Sequence, residues 1–122
     1  SQINPIYNFL SFILKDEENM KEYFENIIIH KKTKKILIKS SIFKEAYTNY
    51  LHNENKWYIN HEYKIIKALL HDINIICKDM KISKCVNKYY IIDKEDVLQT
   101  LNNMGIIAEE IEEIDEDDYE FL

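Results

Sequence analysis

The 122-residue chain has no arginine, one glycine, one proline and two cysteines. Each shortage narrows what the protein can be. Arginine's planar fork is the side chain that most often reads guanine through paired hydrogen bonds, and a lysine ammonium reproduces that contact poorly. Its absence argues against a sequence-specific regulator and leaves lysine as the only strong cation. A phosphate-binding loop needs glycines ahead of Lys-Ser/Thr, which Gly105 alone cannot supply. The chain therefore holds no ATPase motif and is not expected to be an enzyme or to carry a cofactor. Cys77 and Cys85 cannot make a disulfide framework, so free thiols in a reducing compartment are expected. His52, His61 and His71 together with these cysteines match no zinc-site spacing, so no metal is expected. There is no apolar run of the ~20 residues that span a bilayer, and no basic-then-apolar leader. A soluble, cytoplasmic protein with no membrane partner is the expectation. Ser1 stands where an initiating methionine would, as after processing or in a piece of a longer polypeptide.

Charge is plentiful but segregated. Residues 109–122 carry nine acids and no lysine, leaving 16 lysines against 13 acids in residues 1–108. Between Lys31 and Lys94 the balance is 14 lysines to six acids. A basic body with an acidic strap points to a polyanion partner and to a strap that regulates access to it. The apolar fraction of 46% is ample for one core. The bias toward Ile, Lys, Asn and Tyr is that of coding under A+T pressure.

Hydrophobic spacing places the elements. Asn4-Pro5 reads as an N-cap and first-turn proline ahead of a helix with Ile6, Phe9, Leu10, Ile13 and Leu14 on one face. A second helix starts at Asp16-Glu17-Glu18 and buries Met20, Tyr23, Phe24, Ile27 and Ile28. The lysine-rich turn His30–Lys35 leads into a strand, Ile36-Leu37-Ile38, and Ser40 or Ser41 caps a helix carrying Phe43, Ala46, Tyr47, Tyr50 and Leu51. Asn60 is expected to cap the next helix, with Ile65, Ile66, Leu69, Leu70 and Ile73 buried and Asn60, Lys64, Lys67 and His71 on the opposite face. Strands at 75–81 and 89–92 flank a polar connection, Ser83 to Lys88, giving a hairpin with a basic tip. Asp93 with Asp96 reads as a capping box for a helix through Val97, Leu98, Leu101 and Met104, closed by Gly105 at the C′ position.

The fold class expected is mainly α with a small β-sheet (α+β). It divides into an N-terminal helical segment (1–35), a winged helix-turn-helix (36–93), a helix (94–105) and an acidic tail (106–122). A winged helix holds duplex DNA with one helix in the major groove and a hairpin over the adjoining backbone. Asn60, Lys64, Lys67 and His71 would serve the helix; Lys78, Lys81, Lys84 and Lys88 would serve the hairpin. Ammonium groups neutralise phosphates and release counterions, giving affinity without sequence choice. Trp57, Tyr58, Tyr63, Tyr89 and Tyr90 could stack on bases, but aromatics at such positions usually belong to the core. In the tail, Asp117, Asp118, Tyr119, Phe121 and Leu122 combine acids that imitate phosphates with apolar groups that dock a partner, against the simpler reading of a solubilising strap.

Asn4-Pro5-Ile6 with Phe9-Leu10, the stretch Ile38-Lys39-Ser40-Ser41-Ile42-Phe43-Lys44-Glu45-Ala46-Tyr47, and Lys88-Tyr89-Tyr90-Ile91-Ile92 together resemble the C-terminal domain of poxvirus-type primase-helicases of superfamily 3. The likeness spans about residues 4–93 and rests on the order and spacing of degenerate positions. It implies an accessory domain beyond a hexameric ATPase, acting in DNA replication, with DNA and the parent helicase subunits or replication proteins as partners. Host cytoplasm is the location implied by a poxviral source. The alternative is a protein-interaction module that uses the same fold and the acidic tail.

Overall fold

The computed structural model describes residues 4–106 and 115–121. Among them are five α-helices and one four-stranded antiparallel sheet, an α+β architecture. Helix α1 (Pro5–Lys15) begins as its sequence predicts: Asn4 Oδ1 accepts from the Ile6 N–H at 3.1 Å, and proline occupies a first-turn site that needs no N–H. Ile6, Phe9, Leu10 and Ile13 are fully buried, so α1 runs through the middle of the core. Phe9 is the hub of that core, with ring centroids of Tyr23, Phe24, Phe43, Tyr47 and Tyr50 at 5.0–6.2 Å. Burying a side chain of this size contributes about 1.5–3 kcal/mol before the pairwise ring contacts are added.

Helix α2 (Glu17–Tyr23) is capped by Asp16, whose carboxylate accepts from the Glu18 N–H at 2.9 Å. It is shorter than its hydrophobic spacing predicts. Phe24 turns extended, with φ −130° and ψ 122°. Ile28–Ile29 then form a strand, β1, that is exposed rather than a helical face. Pairing decides it: β-branched Ile28 and Ile29 sit opposite Leu37 and Ile36 of β2 (Ile36–Lys39). The lysine-rich turn closes this hairpin. There His30 Nδ1 accepts from the Lys32 and Thr33 N–H groups, and Lys34 takes φ 63°.

Helix α3 (Ser40–Asn53) follows β2 directly. Its N-cap position is Lys39, with no side-chain cap, so neither Ser40 nor Ser41 plays the role expected of it; both lie inside the first turn. A loop of nine residues leads to α4 (Tyr63–His71), then β3 (Ile76–Ile82), β4 (Cys85–Ile92) and α5 (Lys94–Asn103). The sheet order is β1-β2-β4-β3. The β3–β4 hairpin is longer and tighter than the six-residue connection expected. Only Ser83 and Lys84 turn, both at positive φ, 51° and 68°. That pair of left-handed residues is the geometry of a two-residue type I′ turn, whose twist matches the strands.

Asp93 caps α5, its carboxylate accepting from the Asp96 N–H at 3.3 Å. Gly105 ends it at φ 80°. The Ile106 N–H reaches back to Leu101 O at 2.9 Å and the Gly105 N–H to Asn102 O at 3.0 Å. This is a Schellman closure, with Ile106 and Leu101 both buried. Residues from α1, α2, β2, α3, α4, β4 and α5 share one core, from Ile6 to Ile106. Tyr7 ties α1 to α4 through its hydroxyl, which donates to Leu69 O at 3.0 Å.

Candidate nucleic-acid interface

The sheet has two unlike faces, and its register assigns each lysine to one of them. Directly opposed residues share a face. Ile38, Tyr90 and Cys77 form one row against the helices; the next row outward on the same face is Lys88 with Asp79, and the next Val86 with Lys81. The reverse face carries Leu37, Ile91 and Ile76, then Lys39, Tyr89 and Lys78. Of the hairpin lysines predicted to act together, Lys81 and Lys88 therefore lie on the helix side. Lys84 sits at the turn, and Lys78 points from the opposite side.

Helix α4 presents Lys64, Lys67 and His71 exposed, with Ile66 and Leu70 fully buried beneath. Two expectations fail here. Asn60 is neither cap nor part of the helix; the N-cap is Glu62, without a side-chain bond, and Asn60 lies exposed in the loop. The reason is next to it. His61 is taken up by Tyr47 of α3: the Tyr47 hydroxyl and His61 Nδ1 are hydrogen-bonded at 3.2 Å, and the two rings stack at 5.7 Å and 27°. That anchorage keeps the chain extended until Glu62. Burial lowers the His61 pKa below its ordinary value and raises that of Tyr47 above its own. Ile65, placed on the buried face by its spacing, is instead 45% exposed, because the nine-residue helix turns only a narrow stripe inward.

Between α4 and the hairpin lies a concavity of about 490 Å³. Tyr63, Lys64 and Lys67 line it from α4, Cys77, Lys88 and Tyr90 from the sheet, and Ser40 from the start of α3. Three lysines line it together, chiefly with their aliphatic stems, and among the described residues no Asp or Glu does. Asp79 stands just outside, 3.1 Å from Lys88 Nζ. Both partners are mostly exposed, so the pair contributes about 0–1 kcal/mol and leaves Lys88 free to exchange partners. Lys44 Nζ lies 4.4 Å from the centroid of the Tyr63 ring. Asn60, His71, Lys78, Lys81 and Lys84 do not line the concavity.

The aromatic residues divide by exposure. Tyr89 and Tyr90 are buried, as core residues should be, and burial raises the Tyr90 pKa to about 12. Trp57 and Tyr58 are 67% exposed and Tyr63 is 47% exposed, so the core assignment fails for these three. Sequence reasoning also passed over Ser40, Lys44 and Cys77 as site residues. Lys44 meets Tyr63 across two helices, and no local spacing announces such a pair. In the tail, Asp117 and Asp118 belong to a single 3₁₀ turn (Glu116–Asp118), and Tyr119 and Phe121 are exposed. Leu122 and the acids at 109–114 lie outside the described residues. Among the described residues no ion pair joins 115–121 to the lysines of α4 or the hairpin. No helix among them is long and apolar enough to cross a membrane, and no three His, Cys, Asp or Glu side chains converge as metal ligands would.

No protein-family model matches this sequence, and no curated protein or solved structure is significantly similar to it.

Proposed function

We propose that the chain is a nucleic-acid-binding accessory domain that grips phosphates through α4 and the β3–β4 hairpin, with little sequence preference. The observation that carries this reading is that Lys64, Lys67 and Lys88 line one concavity that no acid among the described residues lines. The connectivity supports it: strand β2, helices α3 and α4, strand β3, a two-residue turn and strand β4, in the sheet order β2-β4-β3, follow the element order expected of a winged helix. In that reading α4 is the DNA-facing helix and the Ser83-Lys84 turn the tip of the wing. Attachment to a replicative helicase follows from the resemblance of residues 4–93. It predicts a glycine-rich ATPase loop encoded upstream in the same reading frame.

The test is the salt dependence of binding to random DNA. Log affinity should fall linearly with log salt, and each lost lysine–phosphate contact should reduce the slope by about 1. Lys64→Glu and Lys84→Glu should weaken binding to every sequence alike. Absence of measurable binding at low salt, with residues 109–122 removed as well, would sink the proposal. It would favour instead a protein-docking module, the reading that the exposed Trp57 and Tyr58 support.

A further inference from the structure

We propose that the concavity between α4 and the hairpin holds one nucleotide of an unpaired strand, its base against Tyr63 and its flanking phosphates on Lys64, Lys67 and Lys88. This rests on the phosphate-binding reading above but asks more of the same site. Backbone binding alone needs only a convex lysine surface. Here three lysines line, with their aliphatic stems, a largely apolar recess that the buried Tyr90 and Cys77 also line, which leaves their flexible ammonium ends within reach of its mouth. Its volume, about 490 Å³, falls inside the ~300–1,000 Å³ range of small-ligand sites. The recess therefore suits an anion with a flat apolar body, and a nucleotide is such a molecule. A base still paired in a duplex cannot enter; an unpaired one can, and stacking on an aromatic ring tolerates any base.

Tyr63 is the residue best suited to that role. It is the first residue of α4 and nearly half exposed, although it lines the recess. Lys44 lies over its ring at 4.4 Å, which orients the ring and adds a cation beside the strand's path. Lys67, four residues on, belongs to the same face of the helix as Tyr63, and Lys64 lies three residues before Lys67, so it neighbours that lysine. Tyr63 is not one of the residues of the buried core, so Tyr63→Ala should fold, as circular dichroism and a urea midpoint will check.

The experiment compares three labelled ligands on the full chain at one salt concentration: a thymidine 12-mer, a 12-mer of abasic residues with the same phosphates, and a 12-base-pair duplex. The thymidine strand should bind tightest, and Tyr63→Ala should weaken it about 5- to 100-fold while leaving the abasic strand unchanged. Tyr63→Phe should restore the preference. Equal binding of the thymidine and abasic strands, or a Tyr63→Ala loss shared by both, would overturn the nucleotide site and leave the phosphate reading standing. Failure of all three ligands to bind would overturn both. A synthetic 115–121 peptide that binds wild type but not Tyr63→Ala, with no strand bound, would assign the recess to an acidic protein segment instead.

Discussion

Asn55 and Asn74 do the work that glycine does in most chains. Both take left-handed backbone, at φ 57° and 68°, just past the ends of α3 and α4. Each closes its helix by the same hydrogen bonds that Gly105 makes: Lys56 N–H to Leu51 O and Asn55 N–H to His52 O, then Ile75 N–H to Leu70 O and Asn74 N–H to His71 O. Asparagine tolerates this region better than other residues with a Cβ, so a sequence with one glycine still ends three helices alike. The Asn74 amide also donates to Thr100 Oγ1 at 3.4 Å. Both Asn74→Ala and Asn74→Gly lose that bond, but only alanine is strained at this φ, so Asn74→Ala should be less stable than Asn74→Gly by about 1 kcal/mol, as read from urea midpoints. Equal midpoints for the two variants would show that the left-handed strain is negligible here. The asparagine-rich composition looks uninformative on a first reading, yet at these two positions it sets where helices stop.

At the scale of elements, the segment between α3 and α4 is the clearest case of tertiary contact overriding local pattern. Its ends are fixed by the α3 closure and by the His61–Tyr47 stack, and Ile59 packs against the core. Trp57 and Tyr58 project from a loop that is thus held at both ends. Because the folded His61 has a lowered pKa, the folded state binds its proton less readily than the unfolded chain does. Stability should then be full above about pH 6.5, the unfolded value, and fall as pH drops from there through the lower folded value. Denaturant midpoints across pH 7.5 to about 4.5 should show this slope in wild type, and His61→Gln should remove the part centred below pH 6.5. Identical slopes in the two proteins would place the acid sensitivity elsewhere. Asn60 follows from the same contact: as an N-cap it satisfies every local rule, but stacking of its neighbour on α3 moves the helix start two residues on. The exposed face of α4 survives that shift because Lys64 and Lys67 keep their helical spacing.

For the whole molecule, the division between a basic body and an acidic end remains the governing electrostatic fact, with nine acids in residues 109–122. Tyr119 and Phe121 beside those acids share the chemistry of the proposed nucleotide ligand, a flat ring next to negative charge. Removing residues 109–122 should accordingly raise affinity for DNA several-fold at low salt, with the gain vanishing above roughly 1 M, where screening shortens to about 3 Å. Unchanged affinity would assign the tail to another partner or to solubility. Sequence alone was sufficient for the elements whose signals are local: the Asn4-Pro5 start, the apolar stripe of α1, the Asp93 cap, Gly105 at the end of α5 and the α+β class. These depend on spacing within about one helical turn, which the chain states directly. It also named Lys64, Lys67 and Lys88. Only the folded chain decided which lysines share a face, because strand register sends Lys78 to one face of the sheet and Lys88 to the other. It alone brought Tyr63 under Lys44 and opened a recess between α4 and the hairpin. Those are contacts between segments far apart in sequence, formed where buried area and pairing outweigh local preference, and no short-range pattern encodes them.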